Sequence, residues 1–274
     1  MYRLIGIIAL FVIGFVFIRS FRNRGRSNVL YMNVGCSRWL GAGVGFAFAG
    51  PLGAIIGFAL GSLLGGRDYS KADVEFMGDT PRQQDFSASL LVLSAAVMKA
   101  NGNVKKSELD YVKRFFLNNF GQEQAEKYIL TLREILKQDI NLYDVCQQIG
   151  RYMNYSSKLQ LLHYLFGIAL ADGLVDDMEI GVINTISGYI GLSSYDFESI
   201  KAMFVKKEDD SYAILGITSS ATDEEVKKAY REMAKKNHPD KVAYLGEDVR
   251  KAAEKKFQEI NDAYDKIKKQ RGMN

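Results

Sequence analysis

Cysteine is nearly absent from this chain of 274 residues: only Cys36 and Cys146 occur. Two thiols exclude a disulfide framework and fit a reducing compartment. Repeated four-cysteine zinc motifs are excluded with it. Histidine occurs twice, at 163 and 238, and no nucleophile–base constellation surrounds either. Neither catalysis by this chain nor a cofactor is expected. Proline occurs three times, at 51, 81 and 239, each at a break in an apolar or periodic run. Residues 1–67 lack acid and lysine altogether and hold seven arginines (3, 19, 22, 24, 26, 38 and 67). The remainder carries 29 basic and 32 acidic residues, so no basic footprint for nucleic acid covers it.

What is present is sharpest near the C-terminus. Thr222-Asp223-Glu224-Glu225 has capping-box spacing. Val226, Ala229, Tyr230, Met233 and Ala234 then recur at helical spacing. Pro239 disfavours helix at His238 and ends the run. Ala253, Phe257, Ile260, Tyr264 and Ile267 mark a second helix. Two amphipathic helices joined by a short polar loop bury their stripes on each other, antiparallel, and leave His238-Pro239-Asp240 on an exposed tip.

These residues, with Asp210–Ile217, Lys227-Lys228-Ala229-Tyr230-Arg231 and Lys256–Tyr264, resemble a J-domain over about 209–274. The resemblance implies a co-chaperone that docks on a DnaK-type 70-kDa heat-shock chaperone and stimulates ATP hydrolysis by that partner. Lys227, Arg231 and Lys235 lie four apart on one helix face, with Lys228 at its border. That face suits an acidic partner, and Asp240 suits an arginine. With His238 and Pro239 these are the candidate docking residues. Two departures stand out: Glu232 sits where many family members are basic, and Val242–Arg250 is longer than in the commonest J-domains.

Leu4 to Ile18 is an unbroken apolar run. A span takes roughly 17–25 residues, a length reached once Tyr2 and a snorkelling arginine are counted. No small-x-small cleavage site follows, so 1–18 reads as a retained anchor in contact with membrane lipid. An arginine-rich loop, 19–38, leads to a second apolar run, 39–66. There Gly41, Gly45, Ala49, Gly53, Gly57, Gly61 and Gly65 recur every four residues. Such a ridge admits another helix backbone at close range, from this chain or from a second copy in a homodimer. The run is a membrane-embedded helix, or a helical hairpin broken near Gly50-Pro51. Arginine-rich loops stay in the cytoplasm, and a J-domain needs ATP and its chaperone there. Both requirements hold at once if 39–66 enters and leaves on one face, the alternative being two full spans. The expected location is the bacterial inner membrane, with everything from 68 onward in the cytoplasm.

After a polar linker, 67–85, apolar residues recur at helical spacing in 86–100, 109–120, 125–136, 159–171, 180–190 and 197–205. Ala100-Asn101-Gly102-Asn103-Val104 with Glu108 is echoed by Ala171-Asp172-Gly173-Leu174-Val175 with Glu179, 71 residues later. The domain 86–205 is therefore two related helical hairpins. The pattern is similar to TerB-type tellurite-resistance domains, and the order of modules is similar to the DjlA-like J-proteins. The fold class is all-α. Asp172 and Glu179 are the weak candidates for a metal. Against them, Lys105 and Lys106 interrupt the first copy, and the Asp172-Gly173 pair is ordinary turn chemistry. A second reading of function, a membrane stress-sensing or metal-binding scaffold, rests on this domain. Tyr152, Tyr155, Tyr164 and Phe166 read as core.

Overall fold

A computed structural model describes residues 34–64, 81–204 and 211–273. The expected 1–18 anchor, most of the arginine-rich loop, the 67–80 part of the linker, and Gly65 lie outside the described residues. Those described form helices and turns, with no strand among them.

The glycine-rich run is α1, Val34–Leu64, and it is not straight: Ala49 (φ −138°, ψ 25°) and Gly50 (φ 58°, ψ −149°) leave the helical region. Pro51 follows, where a missing N–H costs nothing because a new helical leg begins. The two legs fold back on each other. A Cβ added at Gly45 would overlap the Gly53 carbonyl, and one at Gly57 the Gly41 carbonyl. Backbone therefore touches backbone, which is why four of the ridge positions hold no side chain. Trp39 meets Phe58 across the legs in an edge-on contact at 5.7 Å. Gly61 is buried further along the second leg.

Six helices follow: α2 (Pro81–Met98), α3 (Lys106–Ile135, bent at Gly121, φ 73°), α4 (Leu142–Tyr152), α5 (Tyr155–Ala169), α6 (Asp177–Tyr189) and α7 (Ser194–Phe204). From Phe86 onward α2 is buried on nearly every face, and α5 almost equally so. Core helices of this kind must satisfy their own polar atoms: Ser94 Oγ bonds the Leu90 carbonyl at 2.5 Å and Tyr164 Oη at 2.9 Å. The repeat is visible in the backbone. Gly102 (φ 76°) and Gly173 (φ 79°) turn the two hairpins in the same left-handed conformation. Each turn is held by the preceding side chain: Asn101 Oδ1 accepts from Asn103 N, and Asp172 Oδ1 from Leu174 N, both at 3.0 Å.

Helix α4 adds to the periodic segments read from the sequence: Leu142, Val145, Cys146 and Ile149 recur at helical spacing, and the last three are buried. Tyr152, read as core, is instead 75 % exposed. It lies in the last turn of α4, on the same helical face as Val145 and Ile149, at the rim of a pocket lined by Leu52, Phe86 and Leu245. His163 packs its ring 4.6 Å from Phe204, where burial and the charges of Lys256 and Lys255 push its pKa down to about 3.

The C-terminal module comprises α8 (Ser211–Ile214), α9 (Asp223–Lys236), short 3-10 turns at Pro239–Lys241 and Ala243–Leu245, and α10 (Glu247–Arg271). Thr222 Oγ1 accepts from Glu225 N at 3.3 Å and Glu225 Oε2 from Thr222 N at 2.7 Å, closing the capping box. Val226 and Met233 of α9 share a buried cluster with Ile260 and Ile267 of α10 and with Leu215. Tyr230 stacks on Tyr264 at 4.2 Å, and its hydroxyl donates to Asn261 at 3.0 Å.

Candidate partner-docking site

The α9 ladder closes with Asn237 N donating to the Met233 carbonyl at 3.0 Å, and Pro239 opens the next turn. The tip is stiffened locally. His238 Nδ1 accepts the Asp240 backbone N–H at 3.3 Å, and the imidazole meets the Phe257 ring edge-on at 5.6 Å. The Asp240 carboxylate points outward, its side chain 87 % exposed, with His238 Nδ1 3.6 Å away. An exposed carboxylate on a stiff turn costs little to hold and can accept two N–H groups from a guanidinium.

Along α9, Lys228, Arg231 and Lys235 are exposed and Lys227 is half-buried. The stripe continues to the C-terminal end of the helix, where cations also suit the helix dipole. Glu232 is not in the middle of this stripe. It lines a groove between α9 and α7, together with Lys228, Lys236 and Tyr195. Burial, then the nearby charges of Glu232 and Asp196, push the Tyr195 hydroxyl up to about 12. The departure noted in the sequence thus falls on the side facing the middle domain.

The acidic positions of the repeat do come together, around a lysine. Lys105 Nζ lies 3.1 Å from Asp172, 3.5 Å from Glu179 and 3.9 Å from Glu108. Asn101 Nδ2 donates to Asp176 and to Glu179, each at 2.7 Å. The ammonium stands where a cation would have to sit. Among the described residues, no group of three or more histidine, cysteine or acidic side chains is arranged to hold a metal ion. Glu108 is pushed up to about 7, by burial first and then by the Glu179 charge. Glu179 is raised in the same way, while the Leu174 N–H and the Lys105 ammonium lower Asp172. The sequence placed Lys105 between candidate oxygens, but nothing in it showed that the side chain turns inward.

A family model described as tellurite resistance protein TerB matches residues 87–202, and a DnaJ domain model matches 210–271. Similar curated proteins include the co-chaperone protein DjlA of Coxiella burnetii, 26% identical over 263 residues, covering 85% of this chain and 97% of the relative. The co-chaperone protein DjlA of Shewanella oneidensis is 27% identical over 216 residues, covering 70% and 80%. That of Photobacterium profundum is 26% identical over 276 residues, covering 85% and 98%. No solved structure matches the chain. A helical hairpin ending in an exposed His-Pro-Asp tip, with a DnaJ match over that same stretch, defines a DnaJ-type co-chaperone. The TerB match before it, and relatives aligned along most of the chain, make this a DjlA-like J-domain co-chaperone with a TerB-like helical domain.

Proposed function

We propose that this co-chaperone recruits a DnaK-type chaperone through Asp240, His238 and the Lys227, Lys228, Arg231 and Lys235 face, and stimulates ATP hydrolysis by that partner while hydrolysing nothing itself. The observation that carries the reading is the Asp240 carboxylate, 87 % exposed on a turn braced by His238 and following the helix that presents Lys228, Arg231 and Lys235 to solvent. Single-turnover ATP hydrolysis by the cognate chaperone tests it. Asp240→Asn removes the charge-assisted contact, and the full chain is expected to lose its stimulation while melting within about 0.5 kcal/mol of the parent. Undiminished stimulation by the folded variant would end the proposal.

The proposed place of action is the cytoplasmic face of a bacterial inner membrane, with 1–18 and the glycine-rich run as the tether and the TerB-like domain selecting the client or stress signal. Among the described residues no helix is long and apolar enough to cross a membrane. Each leg of α1 is about 15 residues, or ~22 Å, against the ~30 Å of a hydrocarbon core. Entry and exit on one face keeps the arginine-rich loop and the domains from 68 onward on the same side, as the positive-inside rule favours. The structure holds the Gly50-Pro51 turn on the TerB-like domain, where Gln148 bonds Leu52 N and the Ala49 carbonyl, so membrane entry requires the hairpin to leave that surface. Gly41, Gly45, Gly53 and Gly57 are spent between the legs of one chain, so a homodimer along the same ridge would require the hairpin to open.

A further inference from the structure

The stretch after the His-Pro-Asp tip, Val242–Arg250, is left unused by the docking of a chaperone. Its apolar side chains do not join the core formed by Val226, Met233, Ile260 and Ile267. Val242, Leu245 and Val249, with Ala253 one turn on, are at most 3% exposed and belong to the same buried cluster as Phe86, Leu90 and Leu159 of the TerB-like domain. Between them Tyr244 reaches the N-terminus of α5. Its hydroxyl takes a hydrogen bond from Asn154 Nδ2 at 2.6 Å and pairs with Ser157 Oγ at 2.8 Å. Asn154 also caps α5, accepting from Ser157 N at 2.8 Å. The segment is thus apolar where it enters the domain and hydrogen-bonded where it crosses a helix end.

The surrounding contacts repeat that complementarity. Ser156 Oγ donates to the Lys236 carbonyl at 2.8 Å, and Ser199 Oγ to the Ile214 carbonyl at 2.5 Å. Tyr195 donates to the Leu215 carbonyl. Lys236 Nζ lies 3.4 Å from Asp196, a fully buried carboxylate that also accepts from Tyr155 and Ser193. Burial alone would raise Asp196, but the two hydroxyls and the ammonium hold it below the ordinary carboxylate range. The contact also has a cost: Lys256 of α10 is completely buried, and its Nζ has no hydrogen-bond partner. A lysine on a helix of a small module would ordinarily keep its head in water. Its burial reflects coverage by the neighbouring domain.

We propose that Val242–Arg250 is a docking plug whose partner is the TerB-like domain of the same chain. It fixes the J-domain in one orientation and leaves Asp240, Lys228, Arg231 and Lys235 exposed. A chaperone bound at the tip is then presented at a set angle to the TerB-like domain. The longer loop falls on this interface, and the exposed Glu232 borders it in the groove beside Tyr195 and Lys236.

The test needs no chaperone, so it stands or falls apart from the stimulation experiment. Spin labels are placed on the full chain at Glu123→Cys and Asp262→Cys, two exposed sites, in a Cys36→Ser background. The parent should show one narrow distance distribution. Leu245→Asp should broaden it at least twofold with helicity unchanged, Tyr244→Phe should broaden it less, and Leu245→Met should restore the narrow peak. A broad distribution in the parent, or a narrow one that survives Leu245→Asp, overturns the proposal. So does loss of helicity in Leu245→Asp, because the loop would then be part of one domain's own fold and not a plug between two.

Discussion

Two helical hairpins in this protein are closed by opposite means. In the J-domain, α9 and α10 are held apart and together by side chains: Val226 and Met233 against Ile260 and Ile267, and Tyr230 stacked on Tyr264. In α1, the two legs meet glycine to carbonyl, with nothing between them at Gly45–Gly53 and Gly57–Gly41. The first arrangement tolerates some change of side chain and fails by leaving holes. The second tolerates no added atom and fails by being forced open. The apolar surface each buries differs accordingly. The J-domain hairpin buries Val226, Met233, Ile260 and Ile267 on itself, while Ala253 of the expected stripe joins the cluster of the TerB-like domain. The second leg of α1 buries Leu52, Ile56 and Ala59 against the TerB-like domain. There Gln148 Oε1 accepts from Leu52 N at 3.0 Å, and its Nε2 donates to the Ala49 carbonyl at 2.8 Å. Those are the backbone groups freed by the break at Gly50-Pro51, so one glutamine side chain replaces two lost helix bonds.

The largest effect is expected where the comparison is starkest. Gly57→Leu places its first carbon on the Gly41 carbonyl, a backbone atom that cannot swing aside. Overpacking usually costs about 1–3 kcal/mol. Here the alternative is loss of the hairpin, with the burial of Leu52 and Ile56 worth roughly 1.5–3 kcal/mol each. Trp39 is the only tryptophan and, though it touches Phe58, is 75 % exposed, so urea denaturation and not its emission reads the loss. Even Gly57→Ala should produce most of that loss. Unchanged stability in both variants would mean that the glycines serve flexibility instead of close approach.

A smaller loss is expected from the side-chain hairpin. Ile260→Ala removes buried methyl groups from the centre of the α9–α10 interface, at a cost of about 2–4 kcal/mol in urea denaturation. The surrounding residues can relax part of the way, which the glycine contact cannot do. If Ile260→Ala proves harmless while Gly57→Ala is severe, the J-domain owes its stability to docking on the TerB-like domain more than to its own core.

The difference between these hairpins also explains what could be read beforehand. The J-domain helices announce themselves, because a capping box, a three-four apolar spacing and a proline each act within a few residues of chain. The break at Gly50-Pro51 and the two glycine turns at Gly102 and Gly173 are local signals as well. Helix α4 is a local signal too, since Leu142, Val145, Cys146 and Ile149 recur at helical spacing over its 11 residues. Two features are not. Val242, Leu245 and Val249 look like ordinary loop residues until the domain they enter is in place. Lys105 lies outside the repeated residues, and its place among the carboxylates of the second copy depends on how the copies pack.

The repeat hairpins offer a third kind of closure, by charge, and the smallest predicted effect. Glu108 and Glu179 are buried, each with one carboxylate oxygen lacking a hydrogen-bond partner, and Lys105 compensates them only in part. Burial, and then the Glu179 charge, raise Glu108 from 4.5 to about 7 in the folded chain. A raised pKa means that the folded state holds this proton to higher pH than the unfolded state does. The stability it contributes is complete below the unfolded value and is lost as pH rises through the folded one. The TerB-like domain should therefore be weakened by this group at pH 8 relative to pH 5. Glu108→Gln keeps the shape, abolishes the charge, and leaves Lys105 its contacts to Asp172 at 3.1 Å and Glu179 at 3.5 Å. Its expected gain is about 1–2 kcal/mol at pH 8, less than the full shift because the cluster is partly open to water, and only a small part of that at pH 5, just above the unfolded value. Urea denaturation of parent and variant at the two pH values measures the gap. A gap that does not widen with pH would mean that Glu108 ionises freely in the folded chain, and that Lys105 closes the hairpins without strain.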